Sequence, residues 1–366
     1  MFFHLFYAAL GIVLMLVVVI GMHELGHAVV ARWFGVKISH ISIGFGKPIW
    51  RWQDKRGIDW VWSLWPLGGY VKLLNTRIDR DLTKADWDEC FDKKPIFVRC
   101  CILVAGVFTN FIVAGILFSA VFMLGYSVVP PIIQQITPNS TAAAAGLQVG
   151  DTIIQIDGHK VNSWQELNMW LIRDVGEPQI SLIVKRARQH TTQQLSMGMA
   201  RAAFNPNARS LLSALGIIPN QLGKGAFFHS GENIGYAIRH GFYQVIIWIY
   251  LYSVTLWHIV AGSLPLNLLI GPLGLLWVTA YSMSQGVVVI LSLFGLLSVA
   301  VGVVNLLPFP GLDGCAMVYC ALEKLRKKPI SLAVEILLFR VTQIWFLVFL
   351  VKLIVNDLLR MFLMYP

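Results

Sequence analysis

The chain has 366 residues, of which 57% are hydrophobic and only 13% charged. A soluble domain carries charge on roughly a quarter of its residues, so this composition excludes a soluble enzyme and predicts a polytopic α-helical membrane protein in a lipid bilayer. The net charge of +10 fits the Lys/Arg bias of cytoplasmic loops, and without a basic stripe interleaved with aromatics no nucleic-acid partner is expected.

The first element is the apolar run from Leu5, read as a spanning helix to about Arg32. It lacks a basic leading segment and a small-residue cleavage site, so it is not read as a signal peptide. Its far end carries Gly21-Met-His-Glu-Leu-Gly-His27. Residues i and i+4 share a helix face, so His23 and His27 can bind one Zn²⁺, with Glu24 beside them as a general base. The bland reading is a pair of satisfied interfacial histidines. The cost of placing a carboxylate and two imidazoles near hydrocarbon weighs against it. A zinc site also needs a third protein ligand from elsewhere in the chain.

Residues 34–99 alternate aromatics with paired glycines: Ile43-Gly44-Phe45-Gly46, Trp50-Arg-Trp52, Trp60-Val-Trp62 and Pro66-Leu-Gly-Gly-Tyr-Val-Lys72. The near-twofold period predicts short strands and turns, and the tryptophans predict the membrane interface. Residues 79–94 are strongly charged and are expected as an exposed turn or helix. Residues 32–99 carry thirteen Lys and Arg, which places them in the cytoplasm, puts the active site near the cytoplasmic face and leaves Cys90, Cys100 and Cys101 reduced. Cys100 to Tyr126 is the second expected span. Asn110 within it needs a partner and is read first as helix glue, second as a substrate-positioning group.

Residues 127–220 read as an extracytoplasmic α+β domain. Pro130–Ile136 is a strand, Asp157-Gly158 a hairpin turn, and Ser163–Asp174 a helix with Ser163 as N-cap and Glu166 completing a capping box. Ile180–Arg186 is another strand, and Leu211–Ile218 is expected to close the sheet. Residues 221–286 are read as a Gly-rich linker, with His229 and His240 as surface groups, followed by an interfacial helix at 242–264. The alternative is a paired crossing that returns through Leu266–Ala280. Residues 287–314 hold the third span, ending in Asn305-Leu-Leu-Pro308-Phe-Pro310-Gly311-Leu312-Asp313-Gly314. Prolines and glycines at that depth break the helix where protein must cover the backbone. Asp313 falls at the depth of the two histidines and is the expected third ligand; a carboxylate facing cytosol is the plainer alternative. Residues 315–342 form a cytoplasmic segment, and 343–366 the last span from about Gln343 to Arg360. That makes about four spans, with both termini outside.

The run Ala-Ala-Ala-Ala145-Gly146-Leu147-x-x-Gly150-Asp151-x-Ile153-x-x-Ile156-Asp157-Gly158 resembles a bacterial PDZ domain. Together with His23-Glu24-x-x-His27, the Gly-Phe-Gly and Pro-Leu-Gly-Gly-Tyr-Val-Lys segments and Asn305-x-x-Pro308-x-Pro310-x-Leu312-Asp313-Gly314, it makes nearly the whole chain resemble the site-2 protease family, in its bacterial regulator of sigma-E protease (RseP) branch. The resemblance implies Zn²⁺ held by His23, His27 and Asp313, with Glu24 as base. It implies a substrate-binding role for Asn305, Gly44, Phe45, Gly46, Pro308 and Pro310, with residues 43–73 offering a strand edge. It implies regulated cleavage, in the bacterial inner membrane, of single-span proteins already trimmed outside, such as anti-sigma factors and remnant signal peptides. It further implies that the PDZ domain takes an extended peptide. The chain departs from the branch in having one PDZ signature where many members have two, and Cys315-Ala316 where relatives often have Gly-His. The rival readings are a catalytically silent PDZ scaffold and a metal transporter.

Overall fold

The computed structural model describes residues 10–54, 57–79, 82–186, 191–199, 208, 210–219 and 226–362. The expected helix start at Leu5, Arg80 and Asp81, and part of the linker lie outside these residues. Contacts divide the chain into two units.

The first unit comprises Met1–Val121, Ile234–Trp248 and Leu276–Phe349. Its first helix, α1 (Leu10–Trp33), is long and apolar enough to cross a membrane. A π-helical turn, Leu16–Gly21, immediately precedes the histidine motif. Such insertions rotate the helix face beyond them and are frequent at functional sites.

After α1 come two long strands, β1 (Ile38–Gln53) and β2 (Asp59–Leu73). Both bend, and the pairing becomes four-stranded. Residues 38–43 pair with 69–73 on one side and 59–62 on the other, while 48–53 pair with the far side of 59–63. The expected short strands are thus folded segments of one mixed sheet, in which 40–43 run parallel to 59–62 and the other pairings are antiparallel. Positive φ at Gly44 and Gly46 makes one bend, a conformation that costs glycine little. Ile49 and Trp50 are exposed, as expected for a sheet facing an interface. The charged stretch forms 3₁₀ turns, Lys84–Glu89 and Phe91–Lys93.

Next is α2 (Ile96–Leu124), which packs closely on α1. A Cβ at Gly26 would lie 2.7 Å from the Ala105 carbonyl oxygen, so only glycine permits that approach. A later helix, Val287–Asn305, meets α2 at two further glycines.

The second unit comprises Phe122–Asn233, Ile249–Leu275 and Leu350–Pro366. Its strands are β3 (Tyr126–Val128), β4 (Ile133–Ile136), β5 (Thr152–Ile156), β6 (His159–Lys160), β7 (Ile180–Lys185), β8 (Thr192–Met197), β9 (Ile217–Pro219) and β10 (Phe227–His229). Its helices are the short α3 (Thr141–Ala144), α4 (Trp164–Arg173) and the short α5 (Leu211–Leu215). The main sheet has the order β6-β5-β7-β8, while β4 pairs with β9 and β3 with β10. Alternate residues of β5 and β7, including Ile153, Leu182 and Val184, join Leu167 and Leu171 of α4 in one apolar core. Positive φ at Asp157 and Gly158 gives the expected hairpin turn between β5 and β6.

Three local expectations need correction. Ser163 accepts from the Glu166 amide at 3.1 Å, but Glu166 reaches back to the Asn162 amide at 2.8 Å; the box is closed one residue early. Leu211–Ile218 does not close the main sheet: Gly216 in the left-handed region ends α5, and only β9 pairs, with β4. The linker is more ordered than its composition suggests, since His229 stacks on Tyr126 within the β3–β10 pair.

The remaining helices are α6 (Ile234–Val260), α7 (Pro272–Gln285), α8 (Val287–Asn305), α9 (Asp313–Arg326) and α10 (Leu332–Phe362). Among the described residues, six helices are long and apolar enough to span, counting Leu266–Gln285 as one. The expected four therefore become six candidates. Ile234–Val260 and Leu266–Gln285 supply the additional pair, in the positions of the alternative paired crossing. Ile234–Val260 is 27 residues long and apolar enough to cross, while Tyr250, Ser253, Thr255 and Trp257 along it equally suit an interface. The last helix also starts earlier than Gln343, since α10 tolerates Glu335 through its ion pair with Arg77 at 2.9 Å.

Candidate metalloprotease centre

His23, Glu24 and His27 are all buried on α1. The two rings meet edge to face with centroids 4.8 Å apart, as i and i+4 residues of a helix should. Their Nε2 atoms lie 3.2 Å apart. The other side of the site comes from α8 and the loop after it. A Cβ at Gly295 would lie 2.7 Å from Phe118, and one at Gly302 2.6 Å from Phe111. Ser298 Oγ donates to the Asn110 carbonyl at 3.1 Å. These contacts fix α8 along α2. The loop then turns sharply, with Gly311 at φ 102 and Gly314 folded so tightly that a Cβ would lie 2.3 Å from the Leu306 carbonyl oxygen. Asp313, the first residue of α9, is thereby delivered to α1. Arg99 of α2 and Glu323 of α9, paired at 2.8 Å, hold α9 at its other end.

Asp313 Oδ2 is 3.2 Å from His23 Nε2 and 3.2 Å from His27 Nε2. The three atoms form a nearly equilateral triangle. A tetrahedral zinc with ligands at 2.0–2.1 Å has donor–donor edges of about 3.3 Å. The donor set of two imidazoles and a carboxylate also suits that ion. Asp313 Oδ2 is buried without a hydrogen-bond partner, as a ligand atom would be before its cation is added. Among the described residues, only His23, His27 and Asp313 form such a cluster; Cys315, buried beside Asp313, is not in it.

His27 Nδ1 donates to the Ile102 carbonyl at 2.8 Å. A carbonyl only accepts, so the proton sits on Nδ1 and Nε2 turns its lone pair toward Asp313. Glu24 faces the sheet. A Cβ at Gly69 would lie 3.1 Å from Glu24 Cγ, and the Val71 backbone lies close to the carboxylate. The edge segment 69–73 therefore runs beside the base.

The glycines are what sequence reasoning missed. A Cβ at Gly106 would come within 2.3 Å of His27 Nε2 and 2.8 Å of His23 Cε1, so α2 leaves room for the imidazoles only there. Their signal was present as small residues on α2, but small residues suit any close helix pair.

Of the substrate-binding candidates, Gly44 and Gly46 form the bend just beyond the Ile43–Gly69 pairing, near the sheet position that touches Glu24. Asn305 closes α8 and donates to its own helix at Val301 O, 3.0 Å. Pro308 and Pro310 lie in the loop between Asn305 and Asp313, Pro308 exposed and Pro310 partly so. The Phe45 backbone pairs with Trp65.

An HExxH helix meeting an aspartate from a broken membrane helix defines a class of membrane-embedded zinc metalloproteases. The chain belongs to peptidase family M50, the site-2 proteases, whose model matches residues 11–350. It is similar to the regulator of sigma E protease of Haemophilus influenzae, 28% identical over 95% of this chain and 98% of that protein. It is also similar to the regulator of sigma-E protease RseP of Salmonella typhimurium, 27% identical over 94% and 96%, and to protease RseP of Yersinia pestis, 26% identical over 97% and 98%. The Haemophilus alignment runs to 435 positions against a chain of 366 residues, so that relative carries segments this chain lacks. The protein is a zinc metalloendopeptidase.

Proposed function

We propose that this protein cleaves single-span membrane proteins within or near the bilayer, after their outer parts have been trimmed, with His23, His27 and Asp313 as zinc ligands and Glu24 as the base. The observation that carries the reading is the triangle of three buried donor atoms with Glu24 alongside. Bound zinc would polarise the scissile carbonyl and make water acidic near neutral pH. Glu24 takes a proton from the attacking water and returns it to the leaving amine. The 69–71 backbone packs beside the carboxylate that makes both transfers.

A helical substrate hides its scissile bond within its own hydrogen bonds, so it must be extended before attack. Adding the substrate as a strand at the 69–73 edge would extend it beside Glu24. The Gly44–Phe45–Gly46 bend and Asn305 with Pro308 and Pro310 would line its path. The α+β unit is a single PDZ-like domain in this reading. It takes an extended peptide and restricts entry to trimmed substrates, outside an inner membrane whose cytoplasmic side carries the active site. Anti-sigma factors are the substrate class that the resemblance to the regulator of sigma-E protease branch implies.

Purified wild type and Glu24→Gln, each in detergent with a tagged single-span substrate, test the reading. Cleavage by wild type alone, with equal zinc in both proteins, is expected. Cleavage by the glutamine variant at the wild-type rate would remove Glu24 as base.

A further inference from the structure

His27 has its second nitrogen satisfied by the Ile102 carbonyl, and His23 needs an equivalent partner. If His23 Nε2 offers a lone pair to a metal, its Nδ1 carries the hydrogen. A buried N–H without an acceptor keeps its full desolvation penalty. The polar side chain beside it is Asn110, whose amide nitrogen stands 3.4 Å from His23 Nδ1. Asn110 is fully buried, at 0% exposure, and its Oδ1 has no hydrogen-bond partner. That arrangement sets a donor against a donor and strands the acceptor. The two ends of an amide are alike in shape, so turning it over changes no packing and places Oδ1 before the imidazole. The backbone of Asn110 is already anchored, because its carbonyl accepts from Ser298 Oγ.

We propose that Asn110 is a positioning residue of the metal centre: its Oδ1 accepts the Nδ1 hydrogen of His23 and keeps Nε2 turned toward Asp313. The inference rests on the zinc-site reading above. It separates two roles for a mid-helix asparagine. Helix glue would make Asn110 matter for stability alone. A positioning role makes it matter for metal affinity, where loss of such a partner typically costs about 10- to 100-fold.

The test uses the full chain in detergent, with zinc affinity measured by competition against a chromophoric chelator. Asn110→Leu keeps the size and removes the acceptor; Asn110→Asp keeps an acceptor. The leucine variant is expected to fold and to bind zinc about 10- to 100-fold more weakly, with the aspartate variant close to wild type. Zinc affinity unchanged in the leucine variant, with only its thermal midpoint lowered, overturns the proposal. Should the leucine variant not fold, ¹⁵N-histidine spectra of zinc-loaded wild type and Asn110→Asp decide. The His23 Nδ1 proton should move downfield against the anionic acceptor, and an unmoved proton overturns the proposal. Wild type and His27→Ala serve as controls. Zinc bound by the first and lost by the second upholds the parent site and leaves the Asn110 variants to decide. No stoichiometric zinc in wild type removes the parent site and this inference with it.

Discussion

Gly106 shows how much a missing methyl group can carry. Its Cα faces both imidazoles, and an added Cβ would meet His27 Nε2 at 2.3 Å and the His23 ring at 2.8 Å. Real Cβ atoms do not sit so close, so one partner must move. Gly106→Ala is therefore expected to push the rings off the triangle. Zinc content measured by atomic emission should drop well below one per chain, while secondary structure by circular dichroism stays near wild type. A stoichiometric zinc content would show that the rings have slack. Asp313→Asn tests the same triangle from the other side. It keeps the shape and removes the charge that binds the cation, and chelator competition should show weaker zinc with helix content unchanged.

Among the elements, the first turn of α7 is held from outside its own sequence. Asp357 of α10, only 2% exposed, accepts from the Gly271 and Gly274 amides at 2.9 Å each. The start of a helix leaves its amides unpaired, and a carboxylate there also answers the helix dipole. Gly271 and Gly274 are required because a Cβ at either would meet the Asp357 carboxylate, at 2.5 and 3.1 Å. Asp357→Ala leaves the buried Gly271 amide and the partly buried Gly274 amide without this acceptor. It should destabilise the protein by about 1–3 kcal/mol, read as a lower thermal midpoint with zinc content unchanged. Ser163 caps α4 through a single bond to the Glu166 amide. Ser163→Ala is expected to cost about 1 kcal/mol, visible as faster hydrogen exchange along α4.

At the level of the whole molecule, the zinc triangle joins residues nearly three hundred positions apart in sequence, so the ion would tie α1 to the α8–α9 loop. Removal of zinc by a chelator should abolish cleavage and lower the thermal midpoint, and re-added zinc should restore both. A ligand that binds only the folded state stabilises it by mass action. Loss of activity without any shift in midpoint would show that the ion does not hold the two segments together. The net charge of +10 coexists with ion pairs that tie the charged segment to the sheet region, such as Lys37 with Asp86 at 3.0 Å and Lys72 with Asp79 at 2.6 Å. These exposed pairs contribute little to stability.

The histidine motif, the hairpin turn at Asp157-Gly158 and the break after Asn305 were all legible in the linear chain. Each depends on spacing or on the backbone freedom of a few neighbouring residues. Asp313 could be inferred from depth, because a membrane imposes one coordinate on every span. The span count could not, since aromatic and hydroxyl residues in 242–264 suit a crossing helix as well as one lying at the surface. The bent four-stranded sheet, the meeting of Asn110 with His23 and the space at Gly106 emerged only from the folded chain. They depend on which helix faces and strand edges come together, and contacts between distant residues leave no periodic trace in a single sequence.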